Sequence, residues 1–257
     1  MNNVTQAIWV ETLKARRSRL PLFSALGFAL IPLAGGFFMI VLKDPELARQ
    51  IGLISAKAQI TMGVADWPSY LGFLALGNAV GGVILYSLVG SWVFGREYAD
   101  RTVKDLLALP TSRSAIVCAK FIVITGWCAA LTVLIYLIGL GVGIAVGLPP
   151  ASLEIILQGG ITLATSGMLT VAIIAPIIFF ASAGHGYLPP MGVAILVVGL
   201  AQLVAVAGWG EYFPWAIPGL VAQGEDLGIT SYMIVIFTSI AGIAGTFLWW
   251  ELADQSR

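Results

Sequence analysis

Charge, histidine and cysteine are all scarce in this sequence, and each shortage closes off a class of chemistry. Charged residues make up 10% of the 257 positions and apolar residues 59%, whereas a soluble domain carries about 25% charged residues. A soluble globular fold is therefore excluded, and a polytopic membrane protein is expected. Thirteen Lys and Arg balance thirteen Asp and Glu, so no net field points to nucleic acid as a partner. One histidine, His185, and two cysteines, Cys118 and Cys128, supply no set of metal ligands. The cysteines lie ten positions apart, about 15 Å along a straight helix, too far to bridge. No G-x-x-x-x-G-K-[ST] loop occurs, so ATP hydrolysis is not expected of this chain alone. H-E-x-x-H and G-x-S-x-G are also missing, and no apolar run carries a central Asp or Glu. An intramembrane hydrolase or a self-contained proton-driven carrier lacks its ionisable groups here.

What is present is a series of six long apolar runs. The expected fold class is all-α, with six transmembrane helices at about 20–42, 70–92, 115–146, 153–181, 188–207 and 229–250. The first twenty residues lack the apolar core of a cleavable signal. Residues 1–19 read instead as an amphipathic interfacial helix, with Ile8, Trp9 and Leu13 beside Lys14, Arg16, Arg17 and Arg19. Pro32 and Pro176 are expected to kink the first and fourth spans. The connection from Lys43 to Ser69, with Glu46, Arg49 and Lys57, is the longest polar one and is placed outside. Gly139, Gly143 and Gly147 recur at intervals of four, a spacing that lets helices approach closely, within one subunit or between two. Gln158, Thr162, Thr165, Ser166 and Thr170 form a polar stripe on the fourth span. Such a stripe either faces a translocation path or satisfies its own helix backbone. His185, in the tight turn SAGHGYLPP, reads as an interfacial loop residue. Residues 208–228, with Tyr212, Phe213, Pro214, Trp215 and Pro218, read as a re-entrant or surface-lying outer segment.

The chain is organised around VFGREYADRTVKDLLALPTSRSAIVCAK, from Val93 to Lys120, between the second and third spans. A helix is expected from about Arg96 to Leu109, stopped by Pro110. Glu97 precedes Arg101 by four residues and Asp100 precedes Lys104 by four, the favourable order for helix ion pairs. Val103, Leu106 and Leu107 share one face. The helix is either a solvated surface loop or a docking element for a partner outside the membrane. With both termini inside, Lys14, Arg16, Arg17, Arg19, the five in this stretch and Arg257 make ten cytoplasmic cations. Lys43, Arg49 and Lys57 make three outside, a clear positive-inside bias.

In this stretch the sequence resembles the membrane subunits of type-2 ABC exporters, in the branch of bacitracin-resistance and lantibiotic-immunity transporters. The matching positions are Glu97, Thr102, Lys104, Leu106, Leu107, Pro110, Ser112, Arg113 and Lys120, with a second match at YLPP and YFPWAIP (187–190 and 212–218). The resemblance covers the whole chain as one permease domain, 1–257, with 94–114 as its coupling-helix loop. It implies that Glu97, Arg101, Thr102, Lys104, Leu106, Leu107, Pro110 and Arg113 couple the chain to a cytosolic ABC ATPase. It also implies two ATPase copies that bind ATP and Mg, a second permease subunit, and a multi-pass place in the cell membrane among its lipids. The activity implied is ATP-driven export of a hydrophobic or amphipathic compound by alternating access. A membrane scaffold or sensor without a transported substrate is the competing class.

Overall fold

A computed structural model describes residues 3–44, 64–108 and 110–252. Among these residues every regular element is helical, and six helices are long and apolar enough to cross a membrane. The chain is thus an all-α multi-pass membrane protein. The interfacial helix α1 (Asn3–Arg17) precedes the first span, α2 (Leu20–Lys43), which has Pro32 in its interior. The second span, α3 (Trp67–Ala99), leads into the short α4 (Val103–Leu107) and then the third span, α5 (Arg113–Ala145). The fourth span is two helices, α6 (Leu153–Ile173) and α7 (Ala175–Ala183). The fifth is α8 (Leu188–Val206). A 3-10 turn (Gly210–Tyr212) and the six-residue α9 (Ile217–Ala222) lead to the sixth, α10 (Ile229–Leu252). The expected Glu46, Arg49 and Lys57 of the first outer connection lie outside the described residues.

Helix α3 is the hub, packing against α2, α5, α6, α7, α8 and α9. Its sequence explains this: Tyr70, Leu74, Tyr86, Val89 and Phe94 are buried on faces all round the helix, the pattern of a helix surrounded by others. Buried polar side chains bind it to its neighbours. The Tyr86 hydroxyl meets Asn78 Oδ1 and Thr132 Oγ1, each at 2.7 Å, and the Tyr70 hydroxyl donates to the Pro32 carbonyl at 3.0 Å.

The helix ends are sealed from both directions. Asp66, Ser112 and Ser152 cap the N-termini of α3, α5 and α6. Lys43 donates to the Val146 carbonyl at the C-terminus of the third span, at 2.8 Å. Arg113 donates to the Trp250 and Glu251 carbonyls at the end of the sixth, at 3.0 and 3.3 Å. Both place a cation at the negative end of a helix.

The small residues serve packing inside the chain. A side chain at Gly139 would overlap Leu74, and one at Gly143 would lie 2.6 Å from the Trp67 ring. Of the two readings left open for this series, these two positions take contact within one subunit. Gly147 has φ +69 and ends the third span in a left-handed turn. The fourth span breaks ahead of Pro176, which has no N–H to continue the ladder. Gly242 of α10 seats on this break, where an added methyl would overlap the Pro176 nitrogen. Gly242→Ala must therefore push a helix backbone aside, and a loss of about 1–3 kcal/mol is expected. Gly126→Ala, with no heavy atom within 4 Å, should leave stability unchanged or raise it by up to about 1 kcal/mol. Apparent unfolding midpoints in detergent check the pair; equal midpoints would refute the close approach.

Candidate functional site

At the end of the bundle that carries most of the cations, three helices bring four charges together below the surface. Helix α1 presents Glu11 and Lys14 one turn apart, α3 presents Glu97 near its C-terminus, and α5 presents Lys120. The Lys120 ammonium has three donors and uses all of them. They go to Glu97 Oε1 at 2.9 Å, Glu11 Oε2 at 3.2 Å and the Val93 carbonyl at 2.6 Å. Lys14 bridges the same two carboxylates, Glu11 Oε1 at 2.7 Å and Glu97 Oε1 at 3.0 Å. Lys120 is 0% exposed, Glu97 3% and Glu11 6%. Two positive and two negative charges cancel, which is the condition for holding them away from water. Burial alone would lower the Lys14 ammonium, but Glu11 and Glu97 outweigh it and hold its pKa above the ordinary 10.5. Its contribution to stability is therefore complete below about 10.5 and is lost only as pH rises past the raised value.

This cluster changes the reading of both flanking segments. Lys14, expected among the headgroups, turns inward instead, while Trp9 and Val10 on α1 stay exposed. Glu97, expected to pair with Arg101 on one helix, pairs with Lys14 and Lys120 across three. The expected continuous helix from Arg96 to Leu109 is also two pieces. The second span continues to Ala99 and stops at Arg101, which has φ +58, an uncommon conformation for a residue with a Cβ. The Thr102 N–H then donates back to the Glu97 carbonyl at 2.9 Å. With the helix broken, Asp100 and Lys104 lose their four-residue register, and Asp100 pairs with Arg96 at 3.3 Å instead.

Glu97 thus holds the cluster with its side chain and the start of the turn with its main chain. From that turn α4 projects. Val103 is buried and Leu106 is half-buried against the bundle, while Arg101, Thr102, Lys104 and Asp105 are exposed, as is Pro110 beyond it. Leu107 lies within α4. Arg113 sits at the start of the third span, where it caps the sixth.

The polar stripe of the fourth span divides in the structure. Ser166 and Thr170 are buried and donate to the Leu163 and Ser166 carbonyls of their own helix, at 3.0 and 2.8 Å. Thr162 does the same to Gln158, at 3.1 Å, while Gln158 and Thr165 have exposed side chains. The segment between the fifth and sixth spans folds back, α9 packing on α3 and α6. Trp215 donates from its indole to the Ile173 carbonyl at 3.1 Å, at the break in the fourth span. Pro218 is buried in α9, the Phe213 and Trp215 rings lie tilted with centroids 5.4 Å apart, Pro214 is half-buried, and Tyr212 remains exposed. His185, with φ +52, packs its ring 4.9 Å from Tyr98. A mostly apolar groove of about 470 Å³ opens between α5, α6 and α10, with Thr125, Thr132 and Ser239 as its hydroxyls.

The bundle thus combines six spans, a charged interhelical turn rooted in the core and a folded-back segment before the last span. The family profile described as ABC-2 family transporter protein matches residues 7–201, and the chain belongs to that family. Among curated proteins it is similar to the bacitracin transport permease protein BCRB of Bacillus licheniformis. The two are 27% identical over 177 residues, which cover 67% of this chain and 85% of the relative.

Sequence reasoning missed Glu11 and gave Lys120 no partner. The signal was available in part: Glu11 is the acid on a helix otherwise bearing cations, and Lys120 interrupts an apolar run. Lys120→Met leaves two carboxylates with one lysine, and a loss of about 3–5 kcal/mol is expected. Combining it with Glu97→Gln leaves the neutral pair Glu11 and Lys14. The double variant should then be more stable than the sum of the single losses predicts, by more than about 1 kcal/mol. Strict additivity in detergent unfolding would show that the four groups do not act as one cluster.

Proposed function

We propose that this chain is the membrane-spanning subunit of an ATP-driven exporter that moves a hydrophobic or amphipathic compound, such as a peptide antibiotic, out of the cell. The observation that carries the reading is α4, a short helix with an exposed polar face, fixed through Glu97 to three helices of the bundle. A rigidly rooted projection of this kind suits the transfer of motion from a soluble partner into the spans. The partner is an ABC ATPase that binds ATP and Mg, present in two copies. Glu97, Arg101, Thr102, Lys104, Leu106, Leu107, Pro110 and Arg113 form or hold the coupling element. Both termini and α4 lie in the cytoplasm, a placement supported by the excess of Lys and Arg at that end.

The bacitracin permease relative supports a peptide-antibiotic substrate class, and the apolar groove between α5, α6 and α10 supports a greasy one. Gln158 and Thr165 are the members of the fourth-span stripe free to face a path. A second groove, about 650 Å³, opens between α2, α3, α8 and α9 and includes Gln202 and Gln223. A side-chain amide on a span is poorly served by lipid tails, which favours a second permease subunit against this face.

The test is purification of the chain from its own membranes under mild detergent. An ABC ATPase with a phosphate-binding loop should copurify in equal amount, and the complex should hydrolyse ATP while the isolated chain does not. Robust hydrolysis by the isolated chain, or a complex lacking any such ATPase, would overturn the assignment. Cells lacking the chain should also retain more of a bacitracin-like peptide than cells that carry it; equal retention would leave the substrate class wrong.

A further inference from the structure

A mostly apolar groove of about 580 Å³ runs in the crease between α1, the start of α2 and the third span, α5. That volume is in the range of a site for one small molecule. Along α5 its wall is Ile122, Gly126, Ala130 and Leu134, which recur at intervals of four and so share one face. From Ile122 to Leu134 the helix rises about 18 Å, close to the roughly 15 Å of hydrocarbon in one leaflet. The trough exists because the two middle positions are small. A methyl added to Gly126 would meet no heavy atom within 4 Å, and Ala130 is exposed. Trp127 makes a fixed side to the trough, because its indole donates to Ser24 Oγ on α2 at 3.3 Å.

At the interfacial end stands Arg16 of α1, the charged residue among the described residues that line the groove. It is exposed and makes no ion pair among the described residues. The acid of its own helix is no help to it, since Glu11 is committed to Lys14 and Lys120 on the buried side. Arg17 and Arg19 are also exposed, but they lie outside the lining.

An apolar trough one leaflet deep, with one unpaired cation at its interfacial end, is complementary to an acyl chain below and a negative headgroup above. The guanidinium fork suits a phosphate, and its methylene stem can lie along apolar surface while the head stays at the interface. An amphipathic helix in the membrane surface holds such a group at headgroup depth. We propose that this groove binds one anionic phospholipid, with its phosphate on Arg16 and an acyl chain along Gly126 and Ala130. The lipid then holds against α5 the same helix whose Glu11 neutralises Lys120. The inference rests on the spans crossing a membrane and not on the ATPase-coupled reading above.

The experiment uses the full chain in mild detergent and two probes with identical acyl chains, phosphatidylglycerol and phosphatidylcholine. Native mass spectrometry should show one phosphatidylglycerol held per chain, at least about fivefold tighter than phosphatidylcholine, the effect of one cation beside an anionic lipid. Arg16→Gln should abolish that preference. Arg17→Gln and Arg19→Gln remove the same charge outside the groove and should preserve it to within about twofold. Gly126→Phe and Ala130→Phe, each of which fills the trough, should weaken both lipids by about tenfold, the burial of roughly two methylenes, with unchanged gel-filtration profiles. A photoreactive amino acid at position 130 should label phospholipid in native membranes.

Equal retention of the two lipids by the parent would overturn the site. So would equal losses from Arg16→Gln and Arg17→Gln, which would reduce it to the general attraction of a basic helix for anionic lipid. Folded Phe variants that hold lipid as the parent does would place the lipid elsewhere. Labelling of a polypeptide from position 130 would make the occupant a neighbouring subunit. The Arg16 and labelling arms decide the case even where a Phe variant misfolds.

Discussion

Lys120 has no contact with solvent, and the rest of this end of the molecule follows from that. A buried ammonium is tolerated only where opposite charge and acceptors replace the water it has lost. Glu97 and Glu11 provide the charge, and the Val93 carbonyl supplies the third acceptor. Each acid comes from a different helix, so neutralising one lysine fixes α1, α3 and α5 with respect to one another. Lys14 then balances the second carboxylate. Removing any member leaves a charge of one sign in a dry place, so the geometry of three helices is held by a condition of electroneutrality.

The spans were legible because lipid imposes a length and composition that few other sequences satisfy. Their observed limits differ from the expected ones by a few residues, except that the second span runs on to Ala99. That extension and the break after it were hidden for one reason. Arg101 adopts a left-handed backbone, and nothing in a run of good helix formers announces it. The same run suggested local pairs at four-residue spacing, yet Glu97 found better partners on α1 and α5. Tertiary contacts outbid local ones because a lysine in the core has no alternative, whereas Arg101 has water.

The amphipathic helix shows the opposite balance. Its existence was plain from Ile8, Trp9 and Leu13 beside four cations, but its orientation was not. An amphipathic pattern says that one face is wet and the other is not; it does not say which charged residue will cross to the dry side. Glu11 is the clue that could have been weighed, an acid one turn before Lys14 that gives the buried face a charge of its own. In the fourth span the polar residues were visible and their partners were not, since a threonine that bonds its own helix and one that faces a path have the same letter in the sequence. The structure shows the bonds directly: Thr162, Ser166 and Thr170 donate to their own helix, whereas Gln158 and Thr165 have exposed side chains.

The cluster also determines how a push on α4 would travel. Helix α4 is five residues long, too short to hold its shape without tertiary support. Its support is the Glu97 carbonyl under Thr102 and the burial of Val103. A displacement of α4 is therefore delivered to the residue whose side chain ties α1, α3 and α5 together. Because α3 is the hub against which α2 and five other helices pack, a small rotation at its charged end would be communicated through a close-packed interior that resists compression. The opposite end of α3, at Trp67, meets Gly143 of the third span, so movement of the hub would have a bearing surface at both ends. On the coupling reading proposed above, the physical requirement is a stiff connection between a projecting element and the spans, and that stiffness would originate in four charges that cannot separate without leaving one of them unpaired.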